Sequence, residues 1–259
     1  MQEEAIIEKE ASAPLLVKII NENDIQGLAL DLDNTFLMTN EYYGYWQDAC
    51  SAYIVENFGL NINQEDFVKR MSCNLHLEFD EKKLYTIQEK YQRALDRYFF
   101  ENIPDNYRSY RKVVKKFFED FYKGSPEFIE GSDSVLKLMC ELEIPFVFNS
   151  NAQYDWTRVK IENFEEELNG RKIPFNAVDI DKRKDAKTWS ESAQMISVPM
   201  EKILTIGDSL YADILPAIEA GCKNLVWIKG DLEKLPIEIR DDQNIHIWCV
   251  DDVNDLVMI

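Results

Sequence analysis

The chain has 259 residues, 46% of them hydrophobic and 12% aromatic, which suits a sizeable core of one or two domains and not a disordered chain. Its net charge of -19 argues against a nucleic-acid duplex as partner. It repels small anions too, so any chemistry on phosphates would need positive charge gathered locally.

Residues 1–10 carry Glu3, Glu4, Glu8 and Glu10 where a secretory signal would be basic. No apolar run approaches the roughly 20 residues that span a bilayer, so a cytoplasmic protein with no membrane partner is expected. Five scattered cysteines (Cys50, Cys73, Cys140, Cys222, Cys249) with no C-x-x-C pair argue against a disulfide framework or a cysteine zinc site. His76 and His246 are the only histidines, too few for histidine-rich metal chemistry. His246 reads as a core or strand-edge residue.

Short apolar runs recur along the chain. They are 27–33 (Gly-Leu-Ala-Leu-Asp-Leu-Asp), 145–150, 177–181, 202–208, 224–228 and 244–250. Runs of four to six such residues suit parallel strands buried on both faces. Helical patterns fall at 132–143, with Ser132 or Asp133 as N-cap, at 188–196, and at 212–220 closing on Gly221. This alternation predicts a doubly wound α/β fold with a Rossmann-like parallel sheet.

One stretch breaks the alternation. Residues 39–123 contain no strand pattern but aromatic-rich helical patterns at 42–58, 64–71, 84–100 and 106–122. The expected organisation is therefore a core of residues 1–38 and 124–259, with an all-helical insertion at 39–123. The insertion reads as a lid over the strand ends, where open α/β sheets bind ligands, against the plainer reading of a structural subdomain.

The carboxylates carry the chemistry. Asp31 and Asp33 lie two apart at the end of the first run, so both should project from one strand face. Such a pair is either a turn-forming cluster or a nucleophile with its general acid. Asp208 ends another strand in Gly-Asp-Ser and offers a hard oxygen to a magnesium ion, which needs few protein ligands. Asp213 falls in the following helical turn, either as an acid favoured by the dipole or as support for a metal. Ser150 and Asn151 precede a helix and offer an anion cradle or simply an N-cap. For the cation facing a phosphoryl group, Lys184 is the choice and Lys187 the alternate.

Taken in order, these elements resemble the haloacid dehalogenase superfamily. The first motif, Asp-x-Asp-x-Thr, matches Asp31-Leu-Asp33-Asn34-Thr35. The second, a Ser or Thr after a strand, matches Ser150-Asn151. The last, Gly-Asp-x-x-x-x-Asp, matches Gly207-Asp208 through Asp213. The resemblance implies a Mg2+-dependent phosphatase acting on a small phosphorylated molecule, with Asp31 as nucleophile and Asp33 as acid and base. It implies Asp31, the Asp33 carbonyl and Asp208 as metal ligands, and Ser150, Asn151 and Lys184 around the phosphoryl oxygens. Thr35 and Asp213 would support them, and the insertion resembles the family's C1-type cap. The third motif departs from its usual Lys-Pro, since no proline follows a lysine in 182–187. Asp33 favours phosphoryl transfer over dehalogenation, because a halide needs no proton. A phosphomutase is the rival chemistry, and a non-catalytic binding protein the rival class.

Overall fold

The computed structural model describes residues 13–58, 60, 62–77, 86–99, 107–178 and 182–258. Six parallel strands form the sheet: β1 (Gly27–Asp31), β2 (Phe146–Ser150), β3 (Phe175–Ala177), β4 (Ile203–Gly207), β5 (Asn224–Ile228) and β6 (His246–Val250). Their order is β3-β2-β1-β4-β5-β6, so the winding reverses between β1 and β4 and opens a crevice at the carboxyl ends of both strands.

The four inner strands are buried at every residue, as their unbroken apolar runs require. Leu28, Leu30, Phe148 and Ile206 pack on one face with α6 (Ser132–Glu141) and α7 (Tyr154–Glu167). Ala29, Val147, Ile203 and Leu225 pack on the other with Trp189 of α8 (Ala186–Met195) and Ala217 of α9 (Leu215–Glu219). An amphipathic helix not anticipated from sequence, α1 (Leu15–Glu22), adds Leu16 and Ile19 to the first cluster. The last helix, α10 (Ile237–Arg240), is a single turn.

Several boundaries differ from expectation. The third strand lies at Phe175–Ala177, ahead of the expected 177–181, and residues 179–181 fall outside the described residues. As a half-exposed edge strand it needs no continuous apolar run. His246 is likewise an exposed edge residue, in stacking contact with Trp248. The N-cap of α6 is Gly131, in the left-handed region at φ 84°, because a Cβ there would stand 2.7 Å from the Asn254 backbone. Ser132 instead donates its hydroxyl to the Phe36 carbonyl at 2.9 Å. The Asp185–Thr188 capping box starts α8 two residues earlier than expected. The helix expected at 212–220 divides into a π-helical turn (Leu210–Ile214) and α9. Pro216 has no N–H for the Ala212 carbonyl, which takes the Trp189 indole N–H at 3.0 Å instead. Gly221, at φ 98°, ends that helix as expected.

The insertion contains α2 (Thr39–Phe58), α3 (Gln64–Leu77), α4 (Ile87–Tyr98) and α5 (Tyr107–Phe121), with no strand among its described residues. Residues 84, 85, 100 and 106 of the expected helices lie outside those described. Its own apolar cluster gathers Cys50, Ile54, Phe67, Tyr91, Leu95 and Phe118, and extends into Ala152 and Trp156 at the start of α7. Tyr42 and Tyr43 stack against Phe121 and Trp156, with Trp46 beside them, which makes these aromatics hinge packing, while Tyr45 is 69% exposed. All five cysteines are free thiols. No described helix is long and apolar enough to cross a membrane.

Candidate active site

The site forms where β1, β2 and β4 end. Asp31 closes β1 and is 4% exposed. Its two oxygens have separate partners: Thr35 donates to Oδ2 at 2.7 Å, and Lys184 reaches Oδ1 at 2.5 Å. Lys184 also meets Asp213 Oδ1 at 2.6 Å and the Asn149 carbonyl at 3.2 Å, so one buried ammonium joins three groups. Burial disfavours its charge, but Asp213 and then Asp31 hold it, and the net effect raises Lys184 above an ordinary lysine. Lys187, its alternate, has a side chain 81% exposed and faces Glu191. The lysine-without-proline segment thus sends Lys184 inward, with Asp185 taken up as the N-cap of α8.

Asp33 stands elsewhere than expected. The strand stops at Asp31, and the chain then turns, with Phe36 N–H and Leu37 N–H both donating to the Leu32 carbonyl and Asn34 in the left-handed region at φ 62°. The two carboxylates therefore do not share a strand face, and their lysines come from opposite sides of the sheet. Asp33 Oδ1 accepts from Lys160 Nζ at 2.5 Å and from Thr39 at 2.7 Å, and its Oδ2 accepts from Ser150 at 2.9 Å. Burial pushes Asp33 up, but Lys160 with its hydrogen bond, then Thr39 and Ser150, more than offset it and leave the group below the usual carboxylate range.

Asp208 follows β4, its carbonyl accepting the Trp227 indole N–H at 3.0 Å. Asp213 lies in the π-helical turn, buried, and its Oδ2 accepts the Ser209 N–H at 2.9 Å. Gly207 is required there, because a Cβ would stand 2.6 Å from the Asp213 Cβ. Asp31, Asp208 and Asp213 each offer an oxygen, all within 4.8 Å of one another. Burial, then the charge of Asp213, raise Asp208 to about 6, and the same two causes raise Asp31 well above its usual range against the pull of Lys184. An oxygen cluster this repulsive, of hard donors only, fits a divalent cation such as Mg2+.

Ser150 ends β2 with its hydroxyl on Asp33, so it is not an N-cap. The N-cap of α7 is Gln153, with no side-chain capping bond. Asn151 Nδ2 donates to the carbonyls of Val178 and Lys182 at 3.2 and 2.9 Å, so its amide ties the β2 loop to the β3 loop. Sequence reading missed Lys160 and Thr39. Lys160 left a signal: it sits between Trp156 and Phe164 at i, i+4 spacing, a charge in the middle of an apolar helix stripe. Tyr43 is pushed well above its usual range by burial and then by the Asp33 charge.

No family model and no curated protein matches the chain in sequence. In structure it resembles a putative beta-phosphoglucomutase from Thermotoga maritima, with TM-score 0.60, 13% identity, and 90% of this chain and 97% of that one covered. A putative HAD-hydrolase from Bacillus subtilis, solved bound to magnesium, gives TM-score 0.59 at 16% identity, with 90% and 96% covered. A 2-haloacid dehalogenase from Pseudomonas syringae pv. Tomato gives TM-score 0.56 at 16% identity, also covering 90% and 96%. The chain has the haloacid dehalogenase-like fold.

Proposed function

We propose that this chain is a Mg2+-dependent phosphatase that hydrolyses a small phosphomonoester through an aspartyl-phosphate on Asp31. The observation that carries the reading is Asp31 itself: a buried carboxylate at a strand end, beside two further carboxylates and a buried ammonium. In this reading residues 1–38 and 124–259 form the catalytic core, and residues 39–123 the lid.

An Asp31 oxygen attacks phosphorus as the bond to the leaving oxygen breaks, and that oxygen takes a proton from Asp33. Water then attacks the phosphorylated Asp31, gives a proton to Asp33, and frees phosphate and the Asp31 carboxylate. Lys184 and Ser150 hold the phosphoryl oxygens in place, Ser150 by leaving Asp33 for the substrate, with Asn151 contributing its backbone N–H. Thr35 fixes the unused Asp31 oxygen, and Asp213 holds Lys184 in position. Mg2+ held by Asp31, Asp208 and the Asp33 carbonyl, with Asp213 beside them, would neutralise charge on the phosphoryl group. Asp33 also speaks against dehalogenation as the reaction.

Hydrolysis of 4-nitrophenyl phosphate with and without Mg2+ tests the reading. Asp31→Asn and Asp33→Asn should each abolish turnover, and wild-type rates in either would sink it. The rival phosphomutase would keep the same carboxylates and exclude water from the phosphoenzyme. Stoichiometric release of free phosphate decides for the phosphatase.

A further inference from the structure

Lys160 is a second buried ammonium in this site, with no counterpart among the motifs read from the sequence. Its side chain is 0% exposed on α7, the helix whose Ile161 and Phe164 belong to the core cluster. A leucine or methionine would fill such a position with no charge to desolvate, so a lysine there needs a partner that repays its burial. Among the described residues the one carboxylate in ion-pair contact is Asp33, at 2.5 Å. On the other side Nζ stands 3.6 Å from the centroid of the Trp156 ring, whose indole N–H is anchored on the Gly124 carbonyl at 2.9 Å. The ammonium is thus fixed in place between an anchored ring and one carboxylate oxygen.

That grip is asymmetric. Asp33 Oδ1 receives both Lys160 and Thr39, while among the described residues Oδ2 receives Ser150 alone, which is assigned above to the phosphoryl oxygens. With Oδ1 occupied by two donors, Oδ2 is the oxygen left for the reacting group. Thr39 is the first residue of α2 and belongs to the insertion, so among the described residues Lys160 is the one Oδ1 partner rooted in the core. We propose that Lys160 is a positioning residue that fixes the Asp33 carboxylate with Oδ2 facing the phosphorylated Asp31, where it receives the proton of the attacking water. In that step the water oxygen bonds to phosphorus and one of its protons passes to Asp33 Oδ2. The phosphorus–oxygen bond to Asp31 breaks, its electron pair returns to the Asp31 carboxylate, and phosphate departs.

The inference rests on the aspartyl-phosphate chemistry proposed above, and the two fail differently. With 4-nitrophenyl phosphate the leaving group departs without help from an acid, so the first step is spared and the second is not. In Lys160→Met, kcat should fall by about 10²-fold, the scale of lost acid–base assistance, and KM should fall with it, because kcat/KM reports the spared first step. Acid-quenched protein should carry the phosphoryl group by intact mass at steady state, where wild type carries little. Lys160→Gln keeps a donor for Asp33 and should hydrolyse its phosphoenzyme faster than the Met variant. It also serves as the test, against wild type, if the Met variant does not fold. Wild-type kcat in Lys160→Met overturns the proposal. So does a folded variant that loses phosphoenzyme formation together with turnover, and so does a Gln variant as slow as the Met variant. Wild-type protein that never hydrolyses the ester or forms a phosphoenzyme takes down the proposed function, and this inference with it.

Discussion

Residues 39–123 and the rest of the chain are built from different materials. The insertion holds 19 of the 31 Phe, Tyr and Trp residues, and its helices are locked by ring contacts such as Phe58–Tyr110 at 4.2 Å and Phe67–Tyr98 at 4.9 Å. The remainder is held by short aliphatic strands buried on both faces. Charge divides as sharply. The insertion has 13 Lys and Arg against 14 Asp and Glu, while the remainder has 16 against 34, so nearly all of the net -19 lies outside the insertion. The site is in the acidic part. Its positive charge comes from two buried lysines, Lys160 paired with Asp33 and Lys184 with Asp31 and Asp213, and not from the average field. Long-range attraction of a phosphorylated ligand therefore counts for less here than local charge placement.

The largest expected effect would break that comparison at its centre. Asp31→Asn should lower turnover of an aryl phosphate by about 10⁴-fold or more, the scale of losing a nucleophile, and leave thermal unfolding close to wild type. A Tm that collapses with the activity would mean that Asp31 serves the fold of the core more than its chemistry. Lys184→Met comes next. It leaves Asp31 and Asp213 buried without their shared counter-charge, which should cost about 3–5 kcal/mol in metal-free protein by denaturant unfolding. Added Mg2+ should recover part of that loss, since the cluster can trade one cation for another. On the other side, Trp156→Ala should cost a similar 3–5 kcal/mol, because this 3%-exposed ring belongs to the insertion's apolar cluster while standing on a core helix. A small effect there would show that the insertion and the core are independent units.

How legible each part was follows from the same physics. The inner strands were readable because burial on both faces demands an unbroken apolar run, and the motif residues stand at their ends. The edge strand β3 was misplaced by two residues, since Phe175-Asn-Ala needs no such run. Asp31 and Asp208 stood out because a carboxylate at the end of an apolar strand is costly unless employed, and Asp213 by its place in the helical turn that follows. The divergence of Asp33 was not legible, because it depends on a turn through Asn34 that no periodicity encodes. Lys160 was hidden for a related reason. A lysine in a helix usually faces solvent, and only the packing of α7 against the strand ends turns this one toward Asp33. The basic residues of α5, Arg108, Arg111, Lys112, Lys115 and Lys116, are exposed.

The carboxylate cluster makes the acidic half sensitive to pH in a way that the insertion is not. Asp208 is raised to about 6 and Asp31 is raised as well, so in metal-free protein the folded state holds protons that the unfolded state has already lost. By linkage, stability should rise as pH falls from about 7 toward the ordinary carboxylate range near 4, the reverse of a salt-bridged aspartate. Asp33 and Glu165, both lowered, oppose this only at more acid pH, where their own stabilising contribution is lost as they protonate. Saturating Mg2+ should flatten the rise, because bound metal keeps the oxygens ionised, and metal affinity should weaken below about pH 6. Thermal unfolding across pH with and without Mg2+ measures both effects. A profile indifferent to Mg2+ would remove the cation from the cluster.

The smallest effect tests the insertion's own charge. Arg108, Arg111, Lys112, Lys115 and Lys116 line the outer face of α5, where Arg111 faces Asp96 at 3.9 Å and Lys115 faces Glu119 at 3.7 Å. Pairs this exposed contribute about 0–1 kcal/mol and are screened by salt. The double substitution Arg111→Ala with Lys115→Ala should therefore shift stability by less than about 1 kcal/mol. It should also leave KM for a phosphorylated substrate unchanged at physiological ionic strength, because a solvated stripe has little reach beyond about 8 Å. A KM that rises in the double variant, and rises further at low salt, would make the insertion an electrostatic guide to the site. The buried lysines would then not be the whole of the positive charge that the substrate meets.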